Sequence, residues 1–479
     1  MGRRKLLGNS VSLLINRLTQ SITTFVLVAF TARLLGAYAL GQYMLGFSYY
    51  FVFMTLISQG FKTLFTRELA REPEQTSTYL VSGSFLQLIA SFIGYIALVI
   101  IVFTLPYSRD TSQICYIMGL TIIPFSLSNI TEAIFQAQEK MYLIAISTVP
   151  IYILRVLLMV WAMSLNYDIQ WISAILVISE VIILIVQWGL ISQFVRYQLS
   201  LDWKFIWYTA KAARTFLFIE GISVFNSRVQ IVILSLFGGE ILVGFFGAIT
   251  QLMQPFDIIC NSLVLAFFPK MSQAMTQGKD KQRQLVEKII EILLCVALPF
   301  IIGILFIGSD LLILIYKDPS FEQAATALKI LGVSAIASSF IRPLSYLLVA
   351  NGLERINLWD VSITTIIGGF FSIFLVSQYQ LSGAVYSVIA TQIISLIIYF
   401  YGVYSRLFTL QMWQIIYRPL LISLLMLGTF LALSNFSQNI MLTIFLASAS
   451  YIVIIAIASI YSVGGLSVVR DKLLANKKV

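Results

Sequence analysis

Residues 35–43 read Leu35-Gly36-Ala37-Tyr38-Ala39-Leu40-Gly41-Gln42-Tyr43, and residues 238–246 read Gly238-Gly239-Glu240-Ile241-Leu242-Val243-Gly244-Phe245-Phe246. A shift of 203 positions lays Gly36 on Gly239, Gly41 on Gly244 and the aromatic Tyr43 on the aromatic Phe246. The same shift brings Arg67 onto Lys270. Each stretch separates two long apolar runs, which is where a glycine turn between membrane spans belongs. Farther on, Ala137-Gln138-Glu139-Lys140 is similar to Ala350-Asn351-Gly352-Leu353-Glu354-Arg355, with Glu139 and Glu354 related by 215. The extra twelve positions fit the longer charged loop around Gly278-Lys279-Asp280-Lys281. The repeat predicts two like-oriented lobes related by an axis along the membrane normal, a common plan of membrane transporters.

Composition fixes the solvent. The 479 residues are 59% apolar and 11% charged, with a mean hydropathy of +0.92, whereas soluble domains are about 45–50% apolar and about 25% charged. A span takes about 20 apolar residues. Fourteen segments qualify: 11–34, 40–61, 79–105, 113–136, 142–165, 170–194, 213–236, 241–267, 286–308, 326–350, 357–377, 382–404, 415–434 and 439–463. They leave no room for a folded soluble domain. The expected fold is therefore an all-α polytopic membrane protein of about 14 transmembrane helices. Its two pseudo-symmetric six-helix lobes are 1–200 (helices 1–6) and 201–410 (helices 7–12). Helices 13–14 and a basic tail fill 411–479.

Charge sets the orientation. With an even number of spans both termini share a side, and 23 of the 31 basic residues fall there, against Arg33, Arg109, Lys317 and Lys329 opposite. Cytoplasmic loops carry the lysine and arginine excess, so both termini are expected in the cytoplasm. The net charge of +10 thus reflects inner loops rather than a nucleic-acid partner. Met1-Gly2-Arg3-Arg4-Lys5 starts like a signal peptide, but Asn16, Arg17 and Gln20 interrupt the apolar stretch and no small-x-small site follows. The segment reads as a retained first helix. Histidine is absent and Cys115, Cys260 and Cys295 are far apart, so neither a metal site nor a redox dithiol is indicated. A membrane acyltransferase relying on histidine is excluded on the same ground.

Ala32-Arg33-Leu34-Leu35-Gly36, Gly41-x-Tyr43, Gln59-Gly60-Phe61 and Thr66-Arg67-Glu68-Leu69-Ala70 resemble the opening of polysaccharide-export flippases. Gly244-Phe245-Phe246-Gly247-Ala248 and Phe267-Phe268-Pro269-Lys270-Met271 resemble the corresponding stretches of their second lobe. Gly60-Phe61-Lys62 and Gly239-Glu240 depart from the family's usual leucine and glycine-proline turn. The group is the polysaccharide branch of the multidrug/oligosaccharidyl-lipid/polysaccharide exporter superfamily. The resemblance implies a MATE-like fold, location in the cytoplasmic membrane and alternating access between two lobes around a central cavity. The implied cargo is an undecaprenyl-diphosphate-linked oligosaccharide, moved for cell-surface polysaccharide biosynthesis with no catalytic step. Membrane lipids and polysaccharide-assembly membrane proteins are the implied neighbours. No cofactor is implied, and Na+, H+ and the membrane potential stay open as energy sources. A cation-coupled multidrug exporter of the same fold and an integral-membrane glycan polymerase or glycosyltransferase are the competing readings. The segment around 309–325 reads as a short outer linker, unlike the large loop such enzymes carry.

Charges at membrane depth are costly and mark function by default. The expected cavity set is Arg17, Gln20, Glu220, Asn226, Arg228, Gln251, Gln254, Asp257 and Arg342. Arg17 and Glu220 are related by the same 203 positions, on spans one and seven, which face the cavity in the resembling family. Glu220 and Arg228 stand about 12 Å apart along one helix, too far for a direct bridge. Asp257 follows Pro255 by two residues and Arg342 immediately precedes Pro343, so a proline kink is expected to position each charge. Each arginine or glutamine could instead hold helices together. Arg155 and Glu180, at matched depth on adjacent antiparallel spans, are expected to form a structural ion pair.

Overall fold

The computed structural model describes residues 3–195 and 200–436, without the side chains of 3–8, 10, 215, 216, 218, 219, 223, 225–227 and 433–436. The described residues form helices and turns without strands. Ten helical stretches are long and apolar enough to cross a bilayer. Val11–Arg71, at 61 residues, would be about 90 Å long if straight, three times the hydrocarbon thickness. It folds back at Gly36, where φ is 82° and ψ −178°. The helix Trp203–Thr276 turns likewise at Gly239 (φ 74°, ψ 179°), and Glu354–Arg406 turns at Gln380 (φ 49°, ψ −119°).

Dividing those three stretches gives thirteen helices among the described residues. They are α1 (3–35), α2 (37–71), α3 (Pro73–Thr104), α4 (Arg109–Ala137), α5 (Tyr142–Ser164), α6 (Ile169–Ser192), α7 (203–238), α8 (240–276), α9 (Lys279–Tyr316), α10 (Pro319–Ala350), α11 (354–379), α12 (381–406) and α13 (Met412–Phe436). Span 439–463 lies outside the described residues. The helices outrun the apolar segments in several places. Lys204 and Lys211 belong to α7, Lys279, Lys281 and Arg283 to α9, and Lys62, Arg67 and Arg71 to α2, although they lie outside the expected spans 213–236, 286–308 and 40–61. Hydropathy sees only the stretch in hydrocarbon, whereas backbone hydrogen bonding continues into the headgroup layer, where charged side chains stay hydrated. The expected linker at 309–325 is likewise helix to Tyr316 and then a 3-10 turn over Pro319–Ala324. Asp318 caps that turn by accepting from Ser320 N at 2.9 Å. The helices run on through Pro255 and Pro343 with no non-helical residue there.

The repeat is visible in the backbone. Gly36 and Gly239, 203 apart, share one positive-φ, extended-ψ conformation that costs a residue with a Cβ about 1–3 kcal/mol. Gly41 and Gly244 mark a close approach of α2 and α8. A Cβ on Gly41 would overlap the carbonyl of Glu240, and one on Gly244 would overlap the carbonyl of Ala37. Ala37 and Glu240 are also 203 apart, so the contact is reciprocal. The turn after α4 matches the turn after α10 at a shift of 213: Lys140 N donates to Phe135 O at 2.8 Å and Leu353 N to Leu348 O at 2.9 Å. Glu139 (φ 58°) and Gly352 (φ 69°) hold the left-handed position in each. Ala137 thus aligns with Ala350, and Glu139 with Gly352 rather than Glu354.

Two compact units can be described. The first takes the described residues up to Leu252 with Ser309–Ala327 and Val361–Thr391; the second takes Met253–Gly308, Leu328–Asp360 and the described residues from Gln392. At one end of the first unit Phe61, Phe65, Tyr79, Phe135, Leu143 and Ile191 form a buried apolar cluster. Tyr79 packs edge-on against Phe65 (5.0 Å) and Phe205 (4.6 Å between centroids). Phe340 packs against Phe400 in the second unit.

Candidate substrate-binding residues at membrane depth

Arg228, on α7, lies against α2. Its guanidinium carbon sits 4.8 Å from the Phe51 ring centroid and 5.6 Å from that of Phe47. Buried Nε has no hydrogen-bond partner, and no described carboxylate lies within ion-pairing distance. A guanidinium over aromatic faces gains about 0.5–2 kcal/mol. That falls short of the compensation a buried charge needs, which comes from a counter-charge and hydrogen bonds. Arg228 is therefore a donor held in place by its α2 aromatics with hydrogen-bonding capacity to spare. Cation–π geometry needs two helices in register, so sequence reasoning named the arginine without its seat.

The other expected residues separate. Arg17 and Gln20 are exposed on α1, and Glu220 is half-buried on α7. Asn226 lies on α7, its side chain outside the described residues. Gln251 is buried and Gln254 exposed on α8. In the second unit Arg342 of α10 is ion-paired to Asp257 of α8 at 2.5 Å and also donates to Asn261. Its charge is thus matched within the protein, unlike that of Arg228. Among the described residues no three carboxylate or cysteine side chains gather as metal ligands.

Arg155 and Glu180 meet at 2.9 Å between α5 and α6, with the Arg155 guanidinium 4.8 Å from the Tyr152 centroid. Both side chains are nearly enclosed, at 11% and 6% exposure. A second buried polar group went unread in the sequence. Lys62 of α2 pairs with Glu132 of α4 and donates to Asn129 Oδ1 at 3.2 Å. Asn129 donates to Ser58 at 2.7 Å, and Gln187 of α6 donates to Glu132 and Ser147 at 3.3 Å each. Lys62 falls just past the expected span 40–61, because a lysine beside an apolar segment reads as its end; Glu132, inside the expected span 113–136, is the signal in the sequence. A π turn at Thr55–Gln59 adjoins this group, and there Ile57 O accepts from Gln87 Nε2 at 3.2 Å.

A third polar group lies beside the glycine crossing. Asp110 accepts from Tyr38 OH (2.9 Å) and Gln42 Nε2 (2.7 Å), while Thr111 donates to Glu240 Oε1 at 2.7 Å. Tyr107 OH links Tyr49 OH (2.9 Å) to Ser235 Oγ (2.8 Å). These bonds tie α2, α4, α7 and α8 at the end where Gly36 and Gly239 turn the chain.

Known proteins bear on this arrangement. A capsular polysaccharide biosynthesis protein, CapF of Staphylococcus aureus, is 24% identical over 293 residues, 59% of this chain and 72% of CapF. The lipid II flippase MurJ in an inward closed conformation superposes with a TM-score of 0.76 at 14% identity, covering 94% of this chain and 98% of MurJ. An inward-facing multidrug resistance MATE transporter of the MOP superfamily gives 0.65 at 14% identity over 83% of this chain and 98% of its own. The fold is that of these multi-pass transporters. The model of the polysaccharide biosynthesis protein family matches residues 6–275, more than half of the chain, and the protein belongs to that family.

Proposed function

We propose that the protein is a flippase that moves an undecaprenyl-diphosphate-linked oligosaccharide across the cytoplasmic membrane by alternating access, in cell-surface polysaccharide biosynthesis. It acts as a transporter and not as an enzyme, with both termini in the cytoplasm. The family and the capsular role named for CapF support the glycan, and the lipid II flippase MurJ supports a lipid-linked one. The observation that carries the reading is Arg228. A diphosphate leaving water needs cationic donors, and guanidinium offers paired hydrogen bonds in a fixed fork. Arg228 is held at membrane depth by Phe47 and Phe51 with no described acidic partner. A cation exporter would find that charge repulsive. In this cycle the α2–α8 glycine crossing is the outer closure, which parts when cargo leaves. A Na+ or H+ gradient or the membrane potential supplies the energy.

The test compares Arg228→Gln and Arg228→Lys, with Arg17→Gln and Arg342→Gln alongside, reading surface-glycan export against folded protein in the membrane. Arg228→Gln is expected to lose most export at normal abundance and Arg228→Lys to keep part. Normal export from Arg228→Gln at normal abundance overturns the anionic-cargo reading. Loss only in proportion to abundance makes the arginine structural and removes the support it gives.

A further inference from the structure

A pocket of about 780 Å³ in the second unit lies between the start of α11 and the end of α12. Exposed Arg355 and Arg406 line it together with Trp359, Tyr401, Ile356 and Ile397. Trp359, Tyr401 and Ile397 are 66%, 71% and 64% exposed, so the wall is an open apolar surface rather than a core. The two helices approach closely at its base, where a Cβ on Gly402 would come within 3.0 Å of Ile356 Cδ1. Neither guanidinium has an ion-pair or hydrogen-bond partner among the described residues. Both arginines lie at the helix ends that the lysine and arginine bias assigns to the cytoplasm, and tryptophan with tyrosine is the belt expected at that interface.

We propose that this pocket binds an anionic glycerophospholipid of the inner leaflet. Arg355 and Arg406 receive the headgroup phosphate, and an acyl chain covers Ile397, Ile356 and the Trp359 ring. Basic clusters between spanning helices on the cytoplasmic side suit such headgroups. A free phosphate would satisfy the arginines and leave the exposed apolar wall in contact with bulk lipid, so a single amphipathic ligand accounts for both halves of the pocket. The site uses none of the residues of the candidate cavity set and does not depend on the cargo.

Trp359 is a built-in reporter. The full chain is placed in phosphatidylcholine vesicles containing phosphatidylglycerol or phosphatidylcholine with brominated acyl chains, and Trp359→Phe isolates the residue's emission. Brominated phosphatidylglycerol is expected to quench Trp359 at a mole fraction on the order of tenfold lower than brominated phosphatidylcholine, a preference that weakens with salt. Arg355→Gln/Arg406→Gln abolishes the preference and Arg355→Lys/Arg406→Lys retains it. The single variant Arg406→Gln reduces it if the double variant does not fold. Equal quenching by both lipids in the unmodified protein overturns the proposal. So does no quenching by either, which means that protein covers the groove. Loss of the preference on adding inorganic phosphate at matched ionic strength makes the site one for soluble anions and overturns the lipid assignment.

Discussion

Gly41→Ala and Gly244→Ala, singly and together, test the reciprocal crossing of α2 and α8. A methyl on Gly41 would lie 2.6 Å from Glu240 C and 3.0 Å from Gly244 N; one on Gly244 would lie 3.0 Å from Ala37 C and 3.1 Å from Gly41 N. Ordinary contact begins at 3.4 Å, so the helices must part by roughly 0.8 Å for the carbonyl carbon alone, and by more for its oxygen. A gap of that size forfeits about a quarter to a half of the dispersion across the contact, and overpacking typically costs about 1–3 kcal/mol. Each single variant is expected to fall in that range. Because one separation relieves both clashes, the double variant should cost about as much as the worse single. Groups sharing a contact are non-additive in this way. Denaturant unfolding of purified protein in detergent micelles, followed by tryptophan emission, supplies the four-way cycle. Additive costs would refute the reciprocity, and no measurable cost in either single variant would refute the close approach.

Two further outcomes are expected. Removing one partner of Arg155–Glu180, as in Glu180→Gln, should strand a nearly enclosed charge and cost about 3–5 kcal/mol, read as loss of folded protein in the membrane, with the double variant Arg155→Gln/Glu180→Gln recovering part of it. Full abundance of Glu180→Gln would show the pair to be structurally idle. Reporter fusions after Leu165 and after Lys204 should report the outside and the inside respectively, and both on one side would sink the assigned orientation.

Much of this protein was legible in its sequence, and the reason is the solvent. Hydrocarbon forces every spanning backbone to satisfy itself within a helix, so apolar run length reveals the helices without any tertiary information. The repeat was equally legible, because a turn that needs positive φ and a crossing that admits no Cβ both demand glycine. Gly36 with Gly239 and Gly41 with Gly244 therefore survive as a register. The depth match of Arg155 and Glu180 on adjacent helices also needed only counting. Helix ends were not legible: Lys62 and Lys211 lie on helices that outlast their apolar stretches, since hydration of a side chain leaves the backbone free to continue. Partner choice was not legible either. Arg228 and Arg342 look alike as arginines inside spans, yet one rests on the rings of Phe47 and Phe51 and the other is neutralised by Asp257. That difference depends on which faces of distant helices meet, a property of packing between helices that no single span carries.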